Sequence, residues 1–295
     1  AAGPRLAALG LGRLGSGGVD YGSDLDLVLV YDPLVPPPLA GLTHEESYAR
    51  MAELLTVALS SLTRDGYLYR VDLRLRPDGK NGAPASSSQA FVSYLSERAE
   101  VWEWLAHVKL RAVAGDMELG RAVERRARAA VHDAALRAPA EELRAQTRRV
   151  RERLERERAR RDSQRAADIK YGPGGMLDVY FASRYLQLRD RVQDDAGERS
   201  TGATLRRLRD AGSLSETDFR AMSEGYALLR RLDHAMRLVA GRSTLLPAAP
   251  DHPTLRDLAR RTGFDGPEAL ARELRARARS VRAAYDRVTG GGEGK

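Results

Sequence analysis

The sequence predicts an α+β fold, in which a mixed β-sheet core with helices is followed by a mainly α-helical bundle. Two short acidic segments with strand character lie in the first third of the chain, whereas helical stripes of apolar residues dominate after about residue 119. The chain has 295 residues, of which 42% are hydrophobic, so it can bury the core of one or two domains. We expect a sheet core at 1–118, long helices with a glycine-rich loop (168–176) at 119–199, and a helical bundle at 200–295.

The first acidic segment follows a loop of small residues, Gly15-Ser16-Gly17-Gly18. In the strand predicted after Ser23, Asp24 and Asp26 project from the same face, because side chains alternate along a strand. Two adjacent carboxylates repel each other unless a cation lies between them, and Mg²⁺ binds such carboxylates while keeping places for substrate phosphates. The glycine loop would bring backbone N–H groups close to those phosphates. Taken alone, an Asp-x-Asp at a strand edge is more often an ordinary surface feature.

The second acidic segment, residues 67–77, alternates strictly between apolar and polar side chains. This period predicts a half-buried strand that ends at its proline. Asp72, Arg74 and Arg76 share the polar face. Beside the first strand, Asp72 would add a third carboxylate, and the two arginines would pair with phosphate oxygens or hold the carboxylates in place. The alternative is an exposed sheet face with a ladder of salt bridges.

Helices are predicted on either side of this second strand. Thr43 to Glu46 forms a capping box that opens a helix through about Thr63. Residues 97–113 are also predicted to be helical, and Lys109 or Arg111 could reach the acidic cluster. The alternative is that both are ordinary cations of a surface helix.

After the core, long arginine-rich helices are expected at 120–137 and 140–166. Pro173-Gly174-Gly175 then breaks the pattern, and a new helix is predicted from Met176. Since helix N-termini bind anions, we expect this loop to fold back onto the acidic cluster, with Lys170 contacting phosphate. An ordinary turn between helices is the alternative.

The last third of the chain predicts a helical bundle. Apolar stripes place helices at 203–211, 215–240 and 267–289, with Ser215 and Asp218 as an N-terminal cap of the second. The prolines at 247, 250 and 253 predict a loop between the second and third helices.

Five segments carry a family resemblance, and the second and fourth are specific in combination. They read GRLGS (12–16) through SDLDL (23–27), RVDLRLRP (70–77), WE (102–103) through HVKLR (107–111) and GD (115–116), DIKYGPGGMLD (168–178), and more weakly LLRRLDH (228–234). The chain resembles a single catalytic half of the glutamine synthetase adenylyltransferase/adenylyl-removing enzyme family, which belongs to the DNA polymerase β-like nucleotidyltransferase superfamily.

This resemblance implies a nucleotidyltransferase-type core in which Mg²⁺ is held by Asp24, Asp26 and Asp72. It implies ATP or ADP as the nucleotide, and AMP that passes to a tyrosine of glutamine synthetase or is removed from it by orthophosphate. The candidate nucleotide- and phosphate-binding residues are Gly15, Ser16, Ser23, Arg74, Arg76, Lys109 and Lys170. The implied partners are glutamine synthetase, the PII signalling protein and a second nucleotidyltransferase half in a longer chain.

Two departures from the family pattern leave alternatives open. Residues 16–20 read SGGVD where the family usually has Gly-Gly-Arg-Glu-Leu, and Tyr180 stands where the family usually has an acid. A catalytically degenerate domain that binds a nucleotide or a partner, or a nucleotidyltransferase with a different acceptor, is therefore the alternative. The sequence decides neither between the transferring and the removing half nor between a piece of a longer protein and a divergent single-copy relative.

Composition narrows the function classes further. The absence of cysteine excludes disulfides and thiolate metal sites and favours a cytoplasmic setting, and the five histidines show no spacing typical of a zinc site. No apolar run approaches the ~20 residues of a membrane span, so we expect no membrane attachment. The net charge is +8, but the basic excess at 144–165 alternates with acids as on a solvated helix face, so nucleic acid is not the expected partner.

Overall fold

The computed structural model describes residues 5–161, 167–195, 197–241, 244–247, 249 and 251–290. These residues divide into two compact units. Unit 1 comprises the described parts of Ala1–Val19, Ser23–Ala138 and Asp195–Ser200, and unit 2 those of Asp20–Gly22, Pro139–Asp194 and Thr201–Lys295. The division differs from the three predicted segments, because unit 1 continues to Ala138 and unit 2 joins the glycine-rich loop to the C-terminal helices.

Unit 1 is built on a five-stranded mixed sheet. Its strands are β1 (Leu6–Gly10), β2 (Leu25–Tyr31), β3 (Val71–Asp72), β4 (Ala85–Ser87) and β5 (Arg111–Gly115). Strand β1 is antiparallel to both β2 and β5, whereas β2 is parallel to both β3 and β4. Because β1 covers one edge of β2, the short strands β3 and β4 follow each other along the opposite edge.

The central position of β2 explains its burial pattern. Alternation along a half-buried strand would place only one set of side chains in the core, but every residue from Leu27 to Tyr31 is buried. A strand with neighbours on both edges and helices on its faces is covered on both sides. Only the start of the strand, around Asp26, remains partly exposed.

Five α-helices of unit 1 are described: α1 (Gly12–Gly15), α2 (His44–Ser60), α3 (Ser88–Glu97), α4 (Val101–His107) and α5 (Met117–Arg137), with a 3₁₀ turn at Gly79–Asn81. The predicted capping box is confirmed, since the Thr43 side chain accepts the N–H of Glu46 and the Glu46 side chain accepts the N–H of Thr43. Helix α2 ends at Ser60, three residues earlier than predicted.

Two sequence predictions in unit 1 are wrong in extent. The strand expected over 67–77 is reduced to Val71–Asp72, because Asp72 Oδ1 accepts the backbone N–H of Arg74 at 2.9 Å and turns the chain out of the sheet. The helix expected over 97–113 ends at His107. Residues Arg111–Gly115 instead form β5, since pairing with β1 satisfies their backbone groups.

Unit 2 is mainly helical, as predicted. Its described helices are α6 (Ala140–Arg161), α7 (Met176–Arg189), α8 (Thr201–Asp210), α9 (Glu216–Ala240), α10 (Pro253–Thr262) and α11 (Pro267–Thr289). Strands β6 (Ala167–Asp168) and β7 (Leu245–Leu246) pair antiparallel. The predicted cap of α9 is confirmed, because Ser215 accepts the N–H of Asp218. The end of the helix predicted over 140–166 lies outside the described residues.

Helix α10 was missed by the sequence prediction, which treated the prolines around it as a loop. Pro253 occupies the first turn of α10, where its missing N–H costs nothing, and the His252 side chain accepts the N–H of Thr254. Leu255 and Leu258 are buried in the core cluster of unit 2. None of the described helices is both long and apolar enough to span a membrane.

A buried histidine lies at the end of α4. His107 is 1% exposed, its Nδ1–H donates to the Glu103 carbonyl at 2.8 Å, and its ring lies 5.8 Å from that of Phe91. Burial lowers the pKa of His107 from 6.5 to about 4, although its hydrogen bonds to the backbone of Glu103 and Leu75 oppose that shift. The folded unit 1 therefore favours the neutral form of the His107 imidazole.

Protonation of His107 is expected to destabilise unit 1 in acid. Below pH 6.5 the unfolded chain binds this proton while the folded protein, whose pKa at His107 is about 4, does not. The free energy of unfolding should therefore fall as the pH drops from 6.5 to 4, by about 3 kcal/mol from this group. In urea unfolding across this range, His107→Leu should show a shallower pH dependence than the native chain. Identical slopes would contradict the assignment.

Candidate active site

The pairing of two parallel strands brings the acidic segments together. In the register of β2 and β3, Asp26 lies directly beside Asp72, and Leu25 beside Val71. The N–H of Leu25 also donates to the Arg70 carbonyl at 2.8 Å, which extends the pairing by one bond. Asp24 immediately precedes β2, and it is exposed. Unit 1 thus places two of the predicted carboxylates in register and the third two residues away.

Gly12 fixes the position of the Asp26 carboxylate. A Cβ at Gly12 would lie 2.2 Å from Asp26 Oδ2, and Gly12 has a φ of +52°, which side-chain-bearing residues rarely adopt. The N–H of Leu11 donates to the Asp26 carbonyl at 2.9 Å. The Asp26 side chain therefore rests directly on the backbone at the start of α1, which only glycine allows.

Arg74 offsets part of the negative charge of the acidic cluster. Its Nε donates to both Oδ1 and Oδ2 of Asp72 at 2.9 Å, and its Nη2 also binds Oδ2. The hydrogen bonds from Arg74 lower the pKa of Asp72. In turn Asp72 raises the pKa of Arg74, and the charges of Asp26 and Asp24 add to that shift. The guanidinium is therefore attracted by all three carboxylates at once.

The donor set of this cluster suits a hard divalent cation. Carboxylate oxygens are the ligands that Mg²⁺ takes in proteins, together with substrate phosphates. Among the described residues, however, no three His, Cys, Asp or Glu side chains lie close enough together to hold a metal ion in their present conformations. The residues fit the metal in their chemistry, while in their arrangement Asp72 is already paired with Arg74.

The glycine loop before β2 is more ordered than the sequence suggested. The N–H groups of Gly15 and Gly18 donate to the carbonyls of Leu11 and Arg13 at 2.8 Å, and the Ser16 hydroxyl donates to the Gly12 carbonyl at 2.8 Å. A Cβ at Gly15 would lie 2.6 Å from the Lys109 carbonyl, and Ser23 is buried. A phosphate would have to compete with these internal hydrogen bonds. Phosphate binding by Gly15, Ser16 and Ser23 stays a prediction.

Arg76 organises the turn that follows β3. Its Nε, Nη1 and Nη2 donate to the carbonyls of Gly82, Leu73 and Lys80 at 3.0, 3.0 and 3.1 Å. Three carbonyls thus occupy the donors that the sequence assigned to phosphate. Arg76 holds the shape of the turn from Leu73 to Gly82, and its contact with a nucleotide stays a prediction.

Lys109 is a buried residue of unit 1. It is 1% exposed, and its Nζ donates to the Arg199 carbonyl at 2.9 Å. Arg199 in turn donates to the Leu110 carbonyl at 2.6 Å and binds Glu124. These bonds fasten Arg199 to Lys109, Leu110 and Glu124 within unit 1. They give Lys109 a structural role, and the predicted phosphate contact is not tested by them.

The glycine-rich loop of unit 2 is held by two aspartates. Asp168 Oδ1 accepts the N–H groups of Lys170 and Tyr171 at 2.9 Å, and the Lys170 ammonium lies 5.0 Å from the centre of the Tyr171 ring. Gly174 has a φ of +71°, and its N–H donates to Asp178 Oδ2 at 2.7 Å. The expected contact of Lys170 with phosphate stays a prediction.

Asp178 and Arg151 form a fully buried ion pair beneath this loop. Both side chains are 0% exposed, and Arg151 Nε lies 2.5 Å from Asp178 Oδ1. Arg151 also donates to the Gly172 carbonyl at 3.0 Å, and Arg282 lies 3.7 Å from Asp178 Oδ2. One carboxylate therefore links α6, α7, α11 and the loop.

Tyr180, which departs from the family pattern, faces a buried cation. The Arg184 guanidinium lies 4.3 Å from the centre of the Tyr180 ring, one helical turn along α7. Arg184 is 2% exposed, and burial lowers its pKa. The aromatic face thus stands beside a cation where an acid would give an ion pair.

Sequence reasoning missed Gly12 and Arg151 as residues of the two clusters. Gly12 could have been noticed as a glycine shortly after the first predicted apolar segment, but only the fold shows that the Asp26 carboxylate rests on it at the start of α1. Arg151 belongs to an arginine-rich helix whose residues look alike in sequence. Nothing in the pattern distinguishes it from its exposed neighbours.

The described residues form the mixed-sheet core and helical unit of an α+β protein, the fold expected of a nucleotidyltransferase-type core. A family model for glutamate-ammonia ligase adenylyltransferase matches residues 1–126, and one for the GlnD PII-uridylyltransferase matches residues 145–289. The chain is 36% identical to a bifunctional glutamine synthetase adenylyltransferase/adenylyl-removing enzyme of Xanthomonas axonopodis pv. citri, over 83% of this chain and 26% of that protein. It is 35% identical to the enzyme of that name from Caulobacter vibrioides, over 83% of this chain and 24% of that protein.

The chain belongs to the glutamine synthetase adenylyltransferase/adenylyl-removing enzyme family. It spans about a quarter of the length of these curated relatives.

Replacement of Gly12 is expected to displace the Asp26 carboxylate. In Gly12→Ala the new Cβ would overlap Asp26 Oδ2, so nucleotidyl transfer should fall at least about tenfold. Gly66→Ala is the matched control, because Gly66 also has a positive φ but no atom within 4 Å of its would-be Cβ. Both variants carry backbone strain, so similar thermal stabilities with a selective loss of rate in Gly12→Ala are expected. Equal rates in the two variants would contradict the role of Gly12.

Loss of the buried carboxylate of Asp178 should destabilise unit 2. Asp178→Asn removes the buried carboxylate from Arg151, whose other ion pair is with the partly exposed Glu155 at 3.1 Å. Breaking a buried ion pair typically costs about 3–5 kcal/mol. Asp286→Asn is the control, since Asp286 is 46% exposed and its pair with Arg282 is worth at most about 1 kcal/mol. Thermal unfolding should show a clearly larger loss for Asp178→Asn. Equal losses would show that the buried pair does not stabilise unit 2.

Proposed function

We propose that this chain is a Mg²⁺-dependent nucleotidyltransferase half that moves AMP between a nucleotide and a tyrosine of glutamine synthetase. In the forward direction the tyrosine oxygen attacks the α-phosphorus of ATP and pyrophosphate leaves. In the reverse role an orthophosphate oxygen attacks the phosphorus of the AMP–tyrosine ester, which forms ADP, and the tyrosine oxygen leaves and takes up a proton. The observation that carries the proposal is the parallel register that sets Asp26 beside Asp72, with Arg74 hydrogen-bonded to Asp72. The names of the relatives support the acceptor.

Asp24, Asp26 and Asp72 are the residues that would hold the metal. When bound, Mg²⁺ would neutralise the charge that develops on the phosphate oxygens. The remaining chemistry belongs to the chain itself. A carboxylate of the cluster would accept the proton of the attacking hydroxyl, and the Arg74 guanidinium would bind phosphate oxygens through two parallel hydrogen bonds.

The proposed partners follow from the family rather than from the site. Glutamine synthetase is the acceptor in the names of the relatives, whereas the PII protein and a second nucleotidyltransferase half are expectations of the resemblance. A cytoplasmic setting is the expectation of a cysteine-free sequence.

Label transfer tests the proposed function directly. The native chain is incubated with Mg²⁺, α-labelled ATP and unmodified glutamine synthetase, and label on a tyrosine is measured. Asp26→Asn should reduce transfer at least about a hundredfold, because it removes one charge from the site that stabilises the transition state. Asp65→Asn is the matched control, since Asp65 is an exposed acid in the turn after α2. It should transfer label at the native rate.

The other outcomes separate the remaining interpretations. If no label is transferred, adenylylated glutamine synthetase with orthophosphate should release ADP, which would identify a removing half. Label that passes from UTP to a PII protein would identify a different acceptor, as the match of residues 145–289 to the uridylyltransferase model makes worth testing. Nucleotide binding without any transfer would indicate a degenerate domain and would reject the proposal.

A further inference from the structure

We infer that Arg74 is an internal counter-ion of the acidic cluster that competes with the metal for Asp72 and yields its place when a nucleotide binds. The site would then take up metal and nucleotide together rather than metal alone. This inference rests on the proposed function, since it concerns the same carboxylates. It goes beyond that function by predicting how the two ligands affect each other.

Both carboxylate oxygens of Asp72 are already bonded to Arg74. Arg74 Nε lies 2.9 Å from each carboxylate oxygen, and the backbone N–H of Arg74 donates to Oδ1 at 2.9 Å. Arg74 Nη2 binds Oδ2 as well. Both oxygens that a divalent cation would use are therefore already hydrogen-bonded to a positively charged group.

The charge of Arg74 also acts on the other two carboxylates of the cluster. Asp24 and Asp26 also attract the Arg74 guanidinium, so its charge already offsets part of the repulsion among the three carboxylates. A metal ion that enters the cluster is attracted less strongly, because Arg74 already offsets part of the negative charge of the carboxylates. The guanidinium also repels the metal ion directly. Metal affinity in the nucleotide-free protein is consequently lowered.

Arg74 is also able to leave the cluster. Its side chain is 67% exposed, whereas that of Asp72 is 21% exposed, so rotation of the guanidinium into solvent disturbs no packed core. Exposed ion pairs of this kind are weak and exchange partners readily. A triphosphate offers an arginine the bidentate geometry that it has with a carboxylate. Arg76 lacks this freedom, because its nitrogens are bound to carbonyls of its own turn.

These properties of Arg74 predict a coupling between two ligands with a clear signature. In the native protein, nucleotide removes Arg74 from Asp72 and thereby raises metal affinity, and by reciprocity metal raises nucleotide affinity. Removal of the Arg74 charge should have opposite effects on two measurements. It should strengthen the binding of metal alone and weaken the binding of the metal–nucleotide complex. A merely structural role would weaken both.

The test measures the binding of Mn²⁺ to the whole 295-residue chain. Binding is followed by the loss of the electron paramagnetic resonance signal of free Mn²⁺. Arg74→Gln should bind Mn²⁺ about tenfold more tightly than the native chain without nucleotide, and should bind the Mn²⁺ complex of α,β-methylene-ATP at least about tenfold more weakly. Arg74→Lys, which keeps the charge, should keep the weak binding of Mn²⁺ alone. Arg70→Gln is the matched control, because Arg70 is an exposed arginine of the same segment that lies over Tyr67, and it should change neither affinity.

The outcomes are separable from those of the proposed function. Asp26→Asn should abolish the tight Mn²⁺ binding of Arg74→Gln in the double variant, which would place the ion in this cluster. Unchanged or weaker binding of Mn²⁺ alone by a folded Arg74→Gln would overturn the inference, even if label transfer succeeds. Opposite shifts of the two affinities would sustain it even if glutamine synthetase proves not to be the acceptor.

Discussion

The parallel pairing of β2 with β3 is the constraint on which the site of unit 1 depends. It sets Asp26 beside Asp72, and two carboxylates on neighbouring strands repel each other unless positive charge lies between them. A residue next to the cluster in the sequence reduces this repulsion. β3 is only two residues long, and the turn that ends it carries Arg74 back onto the carboxylate that it follows. Arg74 therefore both ends the strand, through its backbone N–H, and offsets part of the negative charge of the cluster, through its guanidinium.

The sequence predicted the residue types of this site better than their geometry. Asp24 and Asp26 were predicted from their spacing after a glycine loop and Asp72 from the alternation of residues 67–77, and the register of the two strands agrees with the expected neighbourhood of Asp26 and Asp72. The extent of the second strand was predicted wrongly. Alternation continues through Arg74 and Arg76, but hydrogen bonds from Arg74 to Asp72 and from Arg76 to nearby carbonyls outweigh the periodicity. Such local side-chain bonds leave no periodic signal in the sequence.

Other differences have a similar cause, since long-range contacts override local pattern. The apolar residues of α4 and β5 form one continuous helical stripe in the sequence, yet β5 pairs with β1 more than a hundred residues away in the chain. Conversely, the capping box at Thr43 and Glu46 and the cap at Ser215 were predicted correctly, because both ends of each interaction lie within four residues. Local signals thus fixed where helices begin, and tertiary pairing decided where the core segments change type.

The two units use the same chemical pair, an arginine with an aspartate, for opposite purposes. In unit 2, Arg151 and Asp178 are both 0% exposed, so neither has an alternative partner in solvent, and separating them would leave a buried charge. That pair works as a fixed brace under the glycine-rich loop. In unit 1, Arg74 is 67% exposed, so water and anions compete for it at little cost. Solvent exposure, rather than the identity of the residues, therefore decides which of the two ion pairs is able to exchange its partner during binding.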